Sequence, residues 1–82
     1  ELEKLTQLKV LYLSWNKLTS VQGLEKLTRL TELTLDDNQL TDVEGLEKLK
    51  KLTALSLTDN PALTKAQIDQ LKKALPKCKI YH

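Results

Sequence analysis

Leucines along this chain recur with a period of 22 residues. The tetrapeptide Leu-Glu-Lys-Leu begins at Leu2, at Leu24 and again at Leu46, and each copy is followed by a similar order of apolar and polar positions. Four columns of leucines result, with one member per repeat: Leu5/Leu27/Leu49, Leu8/Leu30/Leu52, Leu11/Leu33/Leu55 and Leu13/Leu35/Leu57. An internal repeat of this length predicts a solenoid, whose stacked coils bury one continuous core.

Each repeat contains a Leu-x-Leu segment that has the alternation of a strand, in which the middle residue points away from the two leucines. These segments predict three short strands at residues 11–13, 33–35 and 55–57. Strands that recur once per coil run in the same direction, so they form a parallel sheet along one side of the solenoid. The leucine spacing of three elsewhere in each repeat favours tight 3-10 turns on the other side.

One polar residue recurs as regularly as the leucines, at Asn16, Asn38 and Asn60. It lies where the chain leaves each expected strand. An asparagine buried at this point must bond to backbone groups, so we expect a ladder of asparagine side chains that connects neighbouring coils. The alternative is that these asparagines only favour turns.

Each unit reads LxxLxxLxLxxNxLxxVxGL, which resembles the signature of leucine-rich repeats over residues 2–60. The 22-residue length resembles the short subclass found in internalins and in regulatory-subunit-like repeats, and the ending LxxALPxCxI resembles the terminal caps of bacterial members. The resemblance implies an α/β fold, a right-handed β-α superhelix with a short parallel sheet on its concave face and 3-10 turns on its convex face. It also implies a protein-protein interaction module that works without catalysis or a cofactor.

The third repeat departs from the pattern after Asn60, where one extra residue is present. Thr64 and Gln67 then have the spacing of a capping box, and the apolar residues that follow have the period of a helix. Pro76 marks the end of this segment. The sequence therefore predicts a C-terminal capping helix at about residues 65–75.

A fourth strand is expected after this helix, at about residues 78–80. Counting 23 residues on from Leu55 and Leu57 places Cys78 and Ile80 in leucine positions, so Cys78 is expected to be a small core residue. The helix would then cover the last coil, which otherwise exposes its leucines. The expected organisation is one domain over residues 1–82, with repeats at 1–23, 24–45 and 46–63 and a cap at 64–82.

No matching cap precedes the first repeat. We therefore expect an unusually apolar face that carries Leu2, Leu5 and Leu8, and a chain that is truncated at its N-terminus. Such a face is typical of an interface, either with upstream repeats or with a second copy of the chain.

The residues between the inward leucines are expected to project from the concave face, where they differ from coil to coil. Tyr and Trp are enriched at interaction hot spots, so we expect Tyr12 and Trp15 to anchor a protein or peptide partner beside an acidic stripe. The alternative is that these two rings only cover leucines at an exposed edge. The candidate partner-binding residues are Val10, Tyr12, Ser14, Trp15, Glu32, Thr34, Asp36, Asp37, Ser56, Thr58, Asp59, Lys79 and Tyr81.

Two other functions stay open at the level of sequence. The first is a purely structural or self-associating capped repeat fragment, natural or engineered, because the first two repeats share the same residue at 13 of 22 positions. The second is a regulatory appendage of a larger enzyme.

The net charge and the residues that could ligate a metal or catalyse a reaction argue against several classes of function. The 13 basic and 11 acidic residues are well mixed and give a net charge of +2, which does not suggest nucleic acid or an anionic membrane as a partner. Asp36, Asp37 and Asp59 offer too few oxygens for calcium, so no metal is expected, and His82 is expected to be solvated. No apolar run has the length of a membrane span, and no targeting segment predicts a localisation.

Overall fold

The computed structural model describes residues 5–82. Its four strands form one parallel sheet in chain order: β1 (Val10–Tyr12), β2 (Glu32–Thr34), β3 (Ala54–Ser56) and β4 (Lys79–Tyr81). The first three strands are connected by two 3-10 helices, Leu24–Lys26 and Leu46–Lys48, and β3 is connected to β4 by one α-helix, α1 (Lys65–Ala74). This arrangement confirms the α/β solenoid that the repeat predicted. We call the turns of the solenoid that contain β1, β2 and β3 the first, second and third coils.

Identical positions of consecutive repeats pair across the sheet. Leu11 lies opposite Leu33, and Leu33 lies opposite Leu55, so the leucine columns of the sequence are columns of contact in the structure. The strands begin one residue earlier than expected. Their ladder continues beyond the last strand residue, because Leu13 N donates to Thr34 O at 2.8 Å and Leu35 N donates to Ser56 O at 2.8 Å.

The convex turns depend on a glycine before each 3-10 helix. Gly23 and Gly45 have φ angles of 96° and 105°, in the region that side-chain-bearing residues rarely adopt. A Cβ atom on Gly45 would lie 3.4 Å from the Glu25 Cβ of the preceding coil, so the space is tight as well. The turn is then fastened by a carboxylate, since Glu25 Oε1 accepts from Gly23 N at 2.8 Å. Hydrogen bonds from the backbone N–H of Glu25 itself and from that of Gly23 hold the pKa of the Glu25 carboxyl below its ordinary value.

The asparagine column connects consecutive coils through backbone groups. Asn38 is buried, and its Oδ1 accepts from the N–H groups of Asn16 and Leu18 in the first coil, both at 2.9 Å. Its Nδ2 donates to Leu13 O at 2.9 Å and to Leu35 O in its own coil at 3.0 Å. Each buried asparagine therefore bonds toward the coil that precedes it.

The capping helix begins as the sequence predicts. Thr64 Oγ1 accepts from Gln67 N at 3.2 Å, and Gln67 Oε1 accepts from Thr64 N at 2.9 Å, which completes the capping box. The helix ends at Ala74, one residue before the expected end, because Leu75 has left the helical conformation. Ile68 and Leu71 are buried against the leucine core, so α1 covers the third coil.

The register of β4 corrects the expectation from sequence. Leu55 pairs with Ile80 and not with Cys78, so β4 lies two residues further along the chain than a spacing of 23 implies. The physical reason is that an α-helix advances only about 1.5 Å per residue, so more residues are needed to return to the sheet. Cys78 consequently packs half-buried at the margin of the core instead of filling a leucine position.

Candidate protein-interaction face

The exposed side of the sheet consists of the residues that alternate with the buried leucines. We define the interaction face as this surface together with the strand-exit residues Trp15, Asp37 and Asp59, and a partner-binding role for the thirteen candidate residues stays a prediction. Among the large apolar members of this face three are aromatic and exposed: Trp15 is 77%, Tyr12 is 66% and Tyr81 is 54% exposed. Beneath the two middle strands Leu33, Leu35 and Leu55 are at most 1% exposed. The face is therefore a layer of variable side chains on a fixed, close-packed support.

Two tyrosines lie in one row across the sheet. The pairing of the strands places Tyr12, Thr34, Ser56 and Tyr81 side by side, one on each strand. Three strand spacings of about 4.8 Å separate the outer two, so their backbones lie roughly 14 Å apart. The shifted register of β4 produces this row, because the expected alignment placed Lys79 next to Ser56 and Tyr81 next to Thr58. In the structure Lys79 lies next to Ala54.

Asp36 fastens the second coil to the third on the same face. Its Oδ1 accepts from Ser56 Oγ at 2.6 Å and from Thr58 N at 2.8 Å. This carboxylate is half-buried and its position is set by two hydrogen bonds, so its negative charge is held in place. The sequence placed Asp36 on the face but gave no sign of this bridge, which depends on the stacking of two coils.

A second row lies at the exit of the strands and consists of Trp15, Asp37 and Asp59. All three have positive φ angles, of 64°, 57° and 63°. Asp is among the residues that tolerate this conformation, whereas a bulky side chain such as that of Trp is an outlier in it. At this position the first coil has a tryptophan, whereas the second and third coils have an aspartate.

Asp37 of this row has a perturbed carboxyl group. Partial burial, followed by the nearby charges of Asp59 and Asp36, raises the pKa of the Asp37 carboxyl above its ordinary value. Beside this row lies an open groove of about 820 Å³. Its lining combines carboxylates with apolar and cap residues, including Asp37, Asp59, Pro61, Leu63, Ile68 and His82. The sequence analysis missed the half-buried Leu63 as part of this groove, because Leu63 reaches it only through the cap, and the buried Ile68 lies at its base.

The remaining groups that could carry chemistry are the Cys78 thiol and the side chains that can ligate a metal ion. Burial raises the pKa of the Cys78 thiol, so less of the reactive thiolate is present at neutral pH. Within residues 5–82, no group of three or more His, Cys, Asp or Glu side chains is placed to hold a metal ion. No helix of this described part of the chain is long and apolar enough to cross a membrane.

Stacked leucine coils, a parallel sheet with one exposed face and convex 3-10 turns define the class of repeat solenoids that present a face to other proteins. Residues 6–48 and residues 28–73 each match the family model described as Leucine Rich repeats (2 copies). The chain therefore belongs to the leucine-rich-repeat family. Domains of this family generally mediate protein-protein interactions and are typically not enzymes. The comparison with curated proteins gave no match.

Proposed function

We propose that this chain binds a protein or peptide partner through its interaction face. The observation that carries the proposal is the exposure of Tyr12 and Trp15 on the outer side of a sheet whose opposite side packs against the leucine core. Large aromatic side chains on a rigid support lose little conformational entropy when they are covered, which is why Tyr and Trp are common hot-spot residues. Trp15 leaves 77% of its surface exposed, so it shields little of the leucine layer below it.

The charges of the face favour a partner that presents a basic side chain beside an apolar one. Asp36 is held in place by Ser56 and Thr58, and Asp37 has a raised pKa because of its burial and its acidic neighbours. A cation placed near these carboxylates would relieve their repulsion. The adjoining groove offers the apolar side chains of Pro61 and Leu63 next to Asp59.

We further infer that the chain acts without catalysis and without a cofactor. Members of the family are typically not enzymes, and the groups on the interaction face are carboxylates, hydroxyls and aromatic rings that suit recognition. The 22-residue repeat with a 3-10 turn in each of two coils also favours the short subclass of internalin-like and regulatory-subunit-like repeats. The LxxALPxCxI ending favours a bacterial origin.

The proposal is tested by selecting binders from a random peptide library displayed on phage, with the full chain as target. The selected peptides are then measured against Tyr12→Ala/Trp15→Ala and against a convex-face control, Lys26→Ala/Arg29→Ala, whose residues are also exposed. Loss of two hot-spot residues should weaken binding at least about 30-fold, and the control should bind as the natural chain does. Selected peptides should contain Lys or Arg next to an apolar residue.

Two results would contradict the proposal. One is a selection that yields no binder above background. The other is a set of binders whose affinity is the same for the Tyr12→Ala/Trp15→Ala variant as for the natural chain, since such peptides would occupy another surface.

A further inference from the structure

One row of the interaction face crosses all four strands and is large at both ends and small in the middle. It consists of Tyr12, Thr34, Ser56 and Tyr81. The two tyrosines are exposed, whereas Thr34 and Ser56 between them are half-buried. The far end is held in register, because Leu57 N donates to Tyr81 O at 2.7 Å. The row therefore offers two aromatic rings at a fixed separation with a low floor between them.

The floor of this row lies beside a fixed negative charge. Ser56 Oγ donates to Asp36 Oδ1 at 2.6 Å, so the carboxylate of Asp36 reaches the row at its two middle strands. Thr58 N donates to the same oxygen at 2.8 Å. Lys79, the basic residue among the strands' outward positions, lies in the neighbouring row, next to Ala54. A cation is therefore favoured at the middle of the row and not at its Tyr81 end.

The separation of the two tyrosines favours an extended partner over a helical one. Three strand spacings place their backbones about 14 Å apart. An extended chain advances about 3.3 Å per residue and returns to the same face every second residue, so its residues i and i+4 lie about 13 Å apart on one face. A helix advances about 1.5 Å per residue, and its nearest positions on one face, i+7 and i+11, lie at about 10.5 and 16.5 Å. The extended chain therefore fits the row best, and its residue i+2 lies over Thr34 and Ser56.

We propose that the partner is an extended peptide segment that lies across the four strands along this row, with apolar side chains at positions i and i+4 and Lys or Arg at i+2. The inference rests on the proposed function, because it names the ligand of the interaction face. One apolar side chain packs against Tyr12 and the other against Tyr81, and the cation pairs with Asp36 between them. Trp15 lies outside the row and contacts residues that flank this five-residue core.

The first test selects binders from three peptide libraries displayed on phage, with the full chain as target. Each library fixes two leucines, at i and i+4, at i and i+7, or at i and i+11, and randomises every other position. We expect the i+4 library to yield the binders, with Lys or Arg enriched at i+2. Enrichment of the i+7 or i+11 library instead, or of the i+4 library without a basic residue at i+2, would overturn the inference.

The second test measures a selected i+4 peptide by fluorescence anisotropy against variants of the full chain. Tyr12→Ala and Tyr81→Ala should each weaken binding at least about 10-fold. Replacing one leucine of the peptide by alanine should remove most of the effect of one tyrosine substitution, and replacing the other leucine should do the same for the other tyrosine. This crossed pattern requires an extended peptide, since a helical i+4 pair spans only about 6 Å. Lys72→Ala, at an exposed position of α1, is the control and should bind as the natural chain does.

The central charge is tested separately with Asp36→Asn. This substitution keeps an acceptor oxygen for Ser56 and Thr58 and removes the negative charge. The peptide with Lys at i+2 should bind the variant at least about 5-fold more weakly than the natural chain. The same peptide with Met at i+2 should bind the two proteins equally. Equal effects of Asp36→Asn on both peptides would count against the cation at this position.

The outcomes separate this inference from the function on which it rests. Peptides that lose affinity for Tyr12→Ala/Trp15→Ala but bind Tyr81→Ala as they bind the natural chain would overturn the inference and leave the interaction face as the binding surface. Peptides that bind every variant equally, or libraries that yield no binder, would contradict both. If thermal unfolding shows that Tyr81→Ala does not fold, Tyr81→Thr takes its place, because threonine suits a strand and already occupies this row at Thr34.

Discussion

Three consecutive coils place the same backbone position in the left-handed region, at Trp15, Asp37 and Asp59. This conformation follows from the sharp exit of the chain from each strand, and the sequence signals it only weakly through two aspartates.

The alternation of leucines was enough to predict which residues face outward. It could not predict that Asp36 bonds Ser56 and Thr58 across two coils, because that contact depends on side-chain rotamers in the stacked structure.

At this residue scale the Asp37 carboxylate should lower the stability of the protein at neutral pH. Its pKa is raised in the folded state, so the folded protein holds this proton more tightly than the unfolded chain, and stability is lost as the pH rises through the folded pKa. Asp37→Asn removes that charge and keeps a side chain that suits a positive φ. The variant should have a higher Tm at pH 7, and the difference should vanish below about pH 3, where both forms are uncharged.

The measurement is thermal unfolding of both proteins across this pH range. Glu32→Gln, which removes an exposed carboxylate from the same face, controls for the change in net charge. If Asp37→Asn raises the Tm by the same amount at acidic pH as at pH 7, the stabilisation comes from the preference of asparagine for the left-handed conformation and not from removal of the charge.

At the scale of elements, the period of 22 residues describes the coils but not the cap. Repeats with 3-10 turns have equal lengths because each uses the same turn geometry, so the first three strands were predictable to within one residue. Helix α1 replaces that turn and takes up a different number of residues for the same distance. The register of β4, and with it the row shared by Tyr12 and Tyr81, therefore could not be obtained by extending the period.

The capping box of α1 should be one of the stabilising contacts of the C-terminal end. Thr64 Oγ1 satisfies the N–H of Gln67, and the Gln67 side chain also reaches Thr41 O in the second coil at 3.1 Å. Thr64→Ala should lower the free energy of unfolding by about 1 kcal/mol, measured by urea denaturation. Thr28→Ala, at an exposed position of a convex turn, should change it by less than about 0.5 kcal/mol. Equal effects of the two substitutions would show that the cap contributes nothing specific.

At the scale of the whole molecule, stability should increase from the first coil toward the middle of the solenoid. Each coil of a repeat protein is stabilised by its neighbours. The second coil has a described neighbour on each side, whereas the described leucines of the first coil are packed on one side only. The same substitution should therefore destabilise the protein by a different amount in each coil, although the surrounding leucine pattern is the same.

Leu30 and Leu8 provide the comparison, since they occupy the same position in the second and first coils. Leu30 is 0% exposed and Leu8 is half-buried. Leu30→Ala leaves a cavity in a closed core and should cost about 2–5 kcal/mol, or abolish the cooperative transition. Leu8→Ala should cost less than about half as much, because solvent already reaches that side chain. Equal costs in urea denaturation would mean that the end of the solenoid is as well covered as its middle, which would contradict this gradient.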